Sequence, residues 1–76
     1  MRLKIVTVNF TTKENWLFKL TDENSNNFFI MQSPFYKDHK LSSPISKKEL
    51  DFYDKGCWIN AIVEQIDGYN VVVGLQ

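Results

Sequence analysis

The hydrophobic and polar positions at the start of the chain alternate as they do in a β-strand. Leu3 and Ile5 alternate with the polar residues Arg2 and Lys4, and after Ile5 the apolar series shifts by one residue and continues at Val6, Val8 and Phe10. Alternation with a period of two is typical of a half-buried strand. A one-residue slip indicates a β-bulge, which a strand needs when it bends round a small barrel. The pattern predicts a bulged first strand over residues 2–10.

Two more strands are predicted as a hairpin. In the second strand, residues 16–21, one face carries Trp16, Phe18 and Leu20 and the other carries Leu17, Lys19 and Thr21. The polar run 22–27 predicts a turn, and residues 28–32 predict a third strand. Pro34 ends that strand because proline cannot donate to a sheet ladder.

The alternation leaves open which face of this hairpin points outward. One register places Trp16, Phe18, Leu20, Phe28 and Ile30 in the barrel interior and leaves three residues outside: Lys19, Phe29 and Met31. The opposite register exposes three aromatic rings instead: Trp16, Phe18 and Phe28.

A short helix is predicted at residues 47–55. Ser46 suits the N-cap, Glu49 completes a capping box, Ile45 and Leu50 are placed as a hydrophobic staple, and Gly56 supplies the C-terminal stop. The segment before it, residues 33–44, is predicted to be an irregular loop.

The end of the chain predicts a second hairpin. Residues 57–65 alternate as a fourth strand, and Asp67-Gly68 predicts a tight turn into a fifth strand over residues 69–75. Trp58 is out of phase with the apolar residues of its strand, so it either packs against Phe52 or Tyr53 or projects from the barrel.

Composition restricts the chemistry that this chain can perform. A length of 76 residues predicts a single domain, residues 1–76, with a compact core. One cysteine, Cys57, excludes an internal disulfide, and with one histidine, His39, we expect no metal site. We also expect no cofactor and no enzymatic activity, because the sequence has no Gly-rich phosphate loop and no paired nucleophile and base. The lack of a signal peptide or membrane-spanning run predicts a cytoplasmic protein without a membrane partner.

Charge is segregated along a chain whose net charge is zero. Residues 1–20 and 37–48 each carry a net charge of +3, whereas residues 21–36 carry −2 and residues 49–76 carry −4. The balance argues against strong charge-driven binding by the whole molecule, yet basic and acidic patches are both expected.

The order strand, strand, strand, helix, strand, strand, with a bulged first strand, resembles the oligonucleotide/oligosaccharide-binding fold, or OB-fold. The resemblance covers the whole chain and depends on element order, in particular on the segment from Ser46 through Gly56 into strand four. It implies a mainly β, five-stranded barrel. An SH3-like barrel is the alternative, although that fold usually has only a 3₁₀ turn late in the chain.

The resemblance implies binding of single-stranded DNA or RNA across the second and third strands. Exposed rings stack on bases, and lysines neutralise phosphates. The loop 33–44 adds a second group of aromatic and basic residues. The candidate nucleic-acid-binding residues are Lys4, Trp16, Lys19, Phe29, Phe35, Tyr36, Lys37 and Lys40. The structural alternative is that these rings belong to the core, with Phe35 and Tyr36 folded down onto the barrel.

A protein-interaction module is the alternative function. The last strand is apolar on both faces, which is consistent with a homodimer or with docking onto a larger replication or host protein. By analogy, a small barrel from an AT-rich genome resembles the accessory proteins of phages and mobile elements.

Overall fold

The computed structural model describes residues 1–46, 48–49 and 52–76 of the chain, and β-structure dominates them. The elements, in chain order, are β1 (Arg2–Val8), β2 (Trp16–Thr21), β3 (Asn27–Met31), α1 (Ser33–Asp38), β4 (Trp58–Ile66) and β5 (Tyr69–Leu75). The prediction of five strands in a mainly β chain is confirmed. Within the described residues, no helix is both long enough and apolar enough to cross a membrane.

The five strands form one sheet that closes into a barrel-like ring in the order β1-β2-β3-β5-β4. Neighbouring strands are antiparallel except for β3 and β5, which are parallel and share a single residue pair, Phe29 with Val71. β1 pairs with both β2 and β4, so it connects the two hairpins. The β4–β5 turn contains Asp67 and Gly68 with φ of 51° and 82°, as a tight hairpin turn with left-handed central residues requires.

Register shifts at three places bend the ring and decide which side chains face inward, and one of them lies in the β4–β5 pairing between Ile62 and Val63. In β1 the register shifts between Ile5 and Thr7, where the sequence predicts a bulge. In β2 it shifts between Trp16 and Phe18. Phe18 and Leu20 remain in the interior, as one of the two predicted registers has it, but Trp16 packs with a different group of residues. The bulge thus separates Trp16 from the face that alternation assigns to it.

Buried residues form two clusters on opposite sides of the sheet. The interior cluster contains Leu3, Ile5, Phe18, Leu20, Phe28, Ile30, Ile45, Ile59, Ala61 and Val72. The outer cluster contains Met31, Phe35, Tyr36 and Val71. Because adjacent strand residues point to opposite faces, Val72 faces the interior while Val71 lies in the outer cluster with the α1 residues. The last strand, apolar on both faces, is therefore covered on both faces within the chain at Val71 and Val72, whereas its other residues are half-buried.

The helix lies in a different place from the predicted one. Within the predicted span 47–55, Lys47, Leu50 and Asp51 lie outside the described residues. Of the rest, Lys48, Glu49 and Lys55 lie in turns, Tyr53 and Asp54 are irregular, and Phe52 is a 3₁₀ residue that is 78% exposed. The α-helix among the described residues is α1, in the segment predicted to be an irregular loop. It is bounded by local chemistry that the prediction did not use.

α1 begins with Pro34 in its first turn and ends in a Schellman motif. Pro34 has no N–H to leave unpaired at this position, and its fixed φ suits a helix start. At the other end, Lys40 has a φ of 57° and its N–H donates to the Lys37 carbonyl. The N–H of Leu41 donates to the Tyr36 carbonyl, which completes the motif. A lysine thus occupies the left-handed position where glycine is usual.

Side chains reinforce the short parallel contact between β3 and β5. The Tyr36 hydroxyl donates to the Val72 carbonyl at 2.6 Å and accepts from the Met31 N–H at 3.1 Å. On the same seam, Asn70 Nδ2 donates to the Asn27 carbonyl at 3.1 Å. Tyr36 therefore contributes to closing the ring as well as to packing.

Candidate nucleic-acid interface

The outer face of β1, β2 and β3 brings three of the predicted site residues together. Lys19 lies opposite Thr7 of β1 on one side and opposite Phe29 of β3 on the other. Lys4 lies opposite Thr21, two residues from Lys19 on the same face of β2. The strand pairings thus align Lys4, Lys19 and Phe29 diagonally across the sheet. Lys19 lies beside Phe29, and Lys4 lies diagonal to Lys19.

Three half-buried aromatic rings lie together beside Lys19. The ring centroids of Trp16 and Phe29 are 5.9 Å apart at 50°, and those of Phe29 and Tyr69 are 5.7 Å apart and edge-to-face at 90°. Such separations are typical of favourable aromatic pairs. We call Trp16, Phe29 and Tyr69 the aromatic platform.

Tyr69 is the member of the platform that the sequence-based prediction omitted. It follows the Asp67-Gly68 turn and has the same phase in β5 as Val71 and Val73. That phase places it on the outer face, which the sequence could have indicated. Its contact with Phe29 depends on the parallel pairing of β3 with β5, which links residues about 40 positions apart and leaves no local signal.

Phe35 and Tyr36 are removed from the surface, contrary to the nucleic-acid-binding prediction for these two residues. Their exposed fractions are 9% and 1%, and their rings meet edge-to-face at 6.0 Å. In the structure both rings fold down onto the barrel, as the structural alternative predicts. Burial raises the pKa of Tyr36 to about 12, so its hydroxyl stays protonated and keeps donating to the Val72 carbonyl. Neither ring offers a free face for stacking.

Lys37 and Lys40 are exposed, but they do not lie on the sheet face. Lys37 belongs to α1, and Lys40 belongs to the C-terminal cap of that helix. The structure therefore separates the predicted residues into a sheet group, with Lys4, Trp16, Lys19 and Phe29, and a helix group. Within the helix group, only the two lysines remain accessible.

The β1–β2 loop is fixed beside the platform. Asn9 Nδ2 donates to the Trp16 carbonyl at 2.9 Å, and Gln32 Nε2 donates to the carbonyls of Thr11 and Glu14 at 3.0 and 2.8 Å. Phe10, which the sequence places at the end of the first strand, lies in this loop and is 92% exposed. Its ring lines a cleft with Val8, Leu17 and Tyr53, none of which belongs to the platform.

Negative charge lies at one end of this face, in the β2–β3 turn. Asp22 accepts hydrogen bonds from the backbone N–H groups of Asn24 and Asn26 and from the Asn26 side chain, each at 2.9 Å. The Asn26 side-chain bond is the largest cause that lowers the pKa of Asp22, so this carboxylate is ionised at neutral pH. An anionic ligand is therefore favoured over the lysines and disfavoured at the turn.

The chemistry available at this face is stacking on rings and attraction of anions by lysines. In residues 1–46, 48–49 and 52–76, no three His, Cys, Asp or Glu side chains are grouped so that they could hold a metal ion. No protein-family model, no curated protein and no solved structure matches this chain.

Proposed function

We propose that this chain is a non-catalytic module that binds single-stranded nucleic acid across the outer face of β1, β2 and β3. The observation that carries the proposal is the aromatic platform with Lys19 beside Phe29 and Lys4 diagonal to Lys19. Half-buried rings next to cations on a sheet suit a ligand that has flat bases and a regular series of phosphates.

The fold itself supports an OB-like barrel as the type of module. The helix lies between the third and fourth strands, β1 is bulged and pairs with two strands, and β3 pairs in parallel with β5. OB-folds bind oligonucleotides across strands two and three and the loops beside them. An SH3-like barrel fits less well, because its helical turn is expected late in the chain.

The expected affinity is modest and depends on salt. Stacking contributes about 1–3 kcal/mol per base, and each neutralised phosphate contributes about −0.7 to the slope of log K against log salt for a single strand. With Lys4 and Lys19 as the phosphate contacts, we expect a slope of about −1.4. The zero net charge adds no general attraction.

Fluorescence anisotropy with a labelled oligothymidylate tests the proposal directly. We expect binding at about 50 mM salt that weakens as salt rises, because phosphate neutralisation is stronger at low salt. Lys19→Gln should reduce the salt slope by about 0.7, and Phe29→Leu, which keeps an apolar side chain, should weaken binding at least ~5-fold. Lys48→Gln, at an exposed lysine outside the sheet, is the matched control and should bind like the wild type. Absence of binding at low salt would falsify the proposal.

Protein interaction remains the alternative function, but one observation in its favour is now weaker. The apolar last strand suggested that another chain covers it, whereas Val71 is covered by the layer that contains α1 and Val72 by the interior cluster. A homodimer or a larger protein partner is thus not needed to bury this strand.

A further inference from the structure

Trp58, the first residue of β4, lies on the surface between two cations. It is 43% exposed, and the guanidinium carbon of Arg2 lies 5.0 Å from the centroid of its ring. Lys4 is directly opposite Trp58 in the β1–β4 pairing. Of the two arrangements that the sequence allows for Trp58, the structure has the one in which it projects from the barrel, with Arg2 over its ring.

The surroundings of Trp58 carry positive charge on this part of the sheet. The residue opposite Arg2 in the β1–β4 ladder is Asn60, and the residues opposite Lys4 are Trp58 and Thr21. None of these partners is acidic, so the ladder gives neither cation a carboxylate to pair with. A phosphate bound here would meet two cations beside an exposed indole ring, which is the combination found in single-strand binding surfaces.

Lys4 connects this surface with the proposed binding face. Because Lys4 pairs with Trp58 of β4 and with Thr21 of β2, a continuous outer row crosses three strands. The next outer position of β2, two residues from Thr21, is Lys19, which pairs with Phe29 of β3. Trp58 and Phe29 are three interstrand steps apart across the sheet and two residues apart along the strands, which together span about 16 Å. A stacked single strand advances about 3.4 Å per nucleotide, so roughly five nucleotides cover this distance.

We propose that Trp58 and Arg2 form a second binding subsite for the same nucleic-acid strand. The strand crosses the β-strands, with one base on the aromatic platform, another on Trp58, and the intervening phosphates over Lys19, Lys4 and Arg2. This subsite rests on the proposed function, and it determines the length of ligand that the module binds.

The chain's two tryptophans lie at opposite ends of this path and can report on it separately. In the Trp16→Phe variant, Trp58 is the only tryptophan, and a six-nucleotide oligothymidylate should quench its emission. In the Trp58→Phe variant, the same ligand should quench Trp16. Trp58→Leu and Arg2→Gln should each weaken binding of the six-nucleotide ligand at least fivefold, and Ile62→Leu, at another exposed apolar residue of β4, should not.

Three outcomes distinguish the subsite from the proposed function. Quenching of both tryptophans with weaker binding by both variants supports the subsite. Binding that quenches Trp16 alone, with Arg2→Gln unaffected, overturns the subsite and leaves the proposed function standing. No anisotropy change with the wild-type protein overturns both. If Trp58→Leu fails to fold, as circular dichroism would show, Arg2→Gln and the quenching of Trp58 still decide the question.

Discussion

At the scale of single residues, the Tyr36 hydroxyl reinforces the closure of the sheet between β3 and β5. The parallel contact between β3 and β5 has one residue pair, and the Tyr36 hydroxyl bonds to Met31 on one strand and to Val72 on the other. Both backbone partners are on buried residues, so neither can turn to water instead.

We expect Tyr36→Phe to lower the free energy of unfolding by about 2 kcal/mol, because it leaves a buried N–H and a buried carbonyl without their partner. Urea unfolding followed by circular dichroism measures the change. Tyr69→Phe makes the same chemical change at a half-buried ring and should cost less than about 1 kcal/mol. Equal stability of the two variants would show that the hydroxyl bridge contributes nothing to closure.

At the scale of elements, His39 ties the end of α1 to the β4–β5 turn. Its Nδ1 lies 2.8 Å from the Phe35 carbonyl, and its Nε2 lies 2.8 Å from Asp67 Oδ2. Both partners only accept hydrogen bonds when Asp67 is ionised, so the imidazole satisfies both only when both nitrogens carry protons. The Phe35 carbonyl is the largest cause that raises the pKa of His39, followed by the hydrogen bond to Asp67, and the charges of Asp67 and Asp38 add to it.

This tie should be stronger in acid than in base. Because the pKa of His39 is raised on folding above 6.5, the stabilisation is fully present below pH 6.5 and is lost as the pH rises through the raised value. The difference in urea midpoint between the wild type and Asp67→Asn should therefore shrink between acidic and alkaline pH. Asparagine tolerates the left-handed φ of 51° at this position, so the turn is preserved.

Two controls accompany the pH measurement. Glu64→Gln removes a carboxylate from the same hairpin and should give a midpoint difference that does not follow the titration of His39. Since His39 is the only histidine in the sequence, its ring-proton NMR signals are assigned without ambiguity, and Asp67→Asn should lower the pKa that they report. An unchanged pKa in Asp67→Asn would contradict the proposed tie.

At the scale of the whole molecule, the two apolar clusters are expected to unfold together. They lie back to back on shared strands: Ile30 and Val72 face the interior, whereas their neighbours Met31 and Val71 belong to the outer cluster. Loss of either cluster exposes strands that the other needs, so we predict one cooperative transition.

Trp16→Phe and Trp58→Phe leave one tryptophan each, on different strands. Within each variant, fluorescence and circular dichroism should give the same urea midpoint; an earlier transition at Trp16 would mean that the outer layer unfolds separately.

The misplaced helix shows why local signals predicted the strands better than the helix. Strands β1, β2 and β4 follow from alternation, and β5 follows from the Asp67-Gly68 turn beside it. The helix prediction used Ser46 and Gly56, the usual start and stop residues, whereas α1 ends at Asp38 and its C-terminal cap holds Lys40 in a left-handed conformation. Lysine gives no such signal, because it adopts that conformation only when the surrounding structure favours it. Burial of Phe35 and Tyr36 on the β3–β5 face provides that support.

The sequence alone determined the number of strands, the bulge in β1 and the turn at Asp67-Gly68, because these depend on neighbours a few residues apart. It placed Phe18, Leu20, Phe28 and Ile30 on one face of the hairpin, and the tertiary structure decided that this face points into the interior. Tertiary structure decided which aromatic rings reach the surface. The bulge at Leu17 turns Trp16 outward, the parallel pairing of β3 with β5 brings Tyr69 to Phe29, and α1 buries Tyr36. Each of these outcomes depends on contacts between residues that are distant along the chain or on a register shift, and alternation carries no information about either.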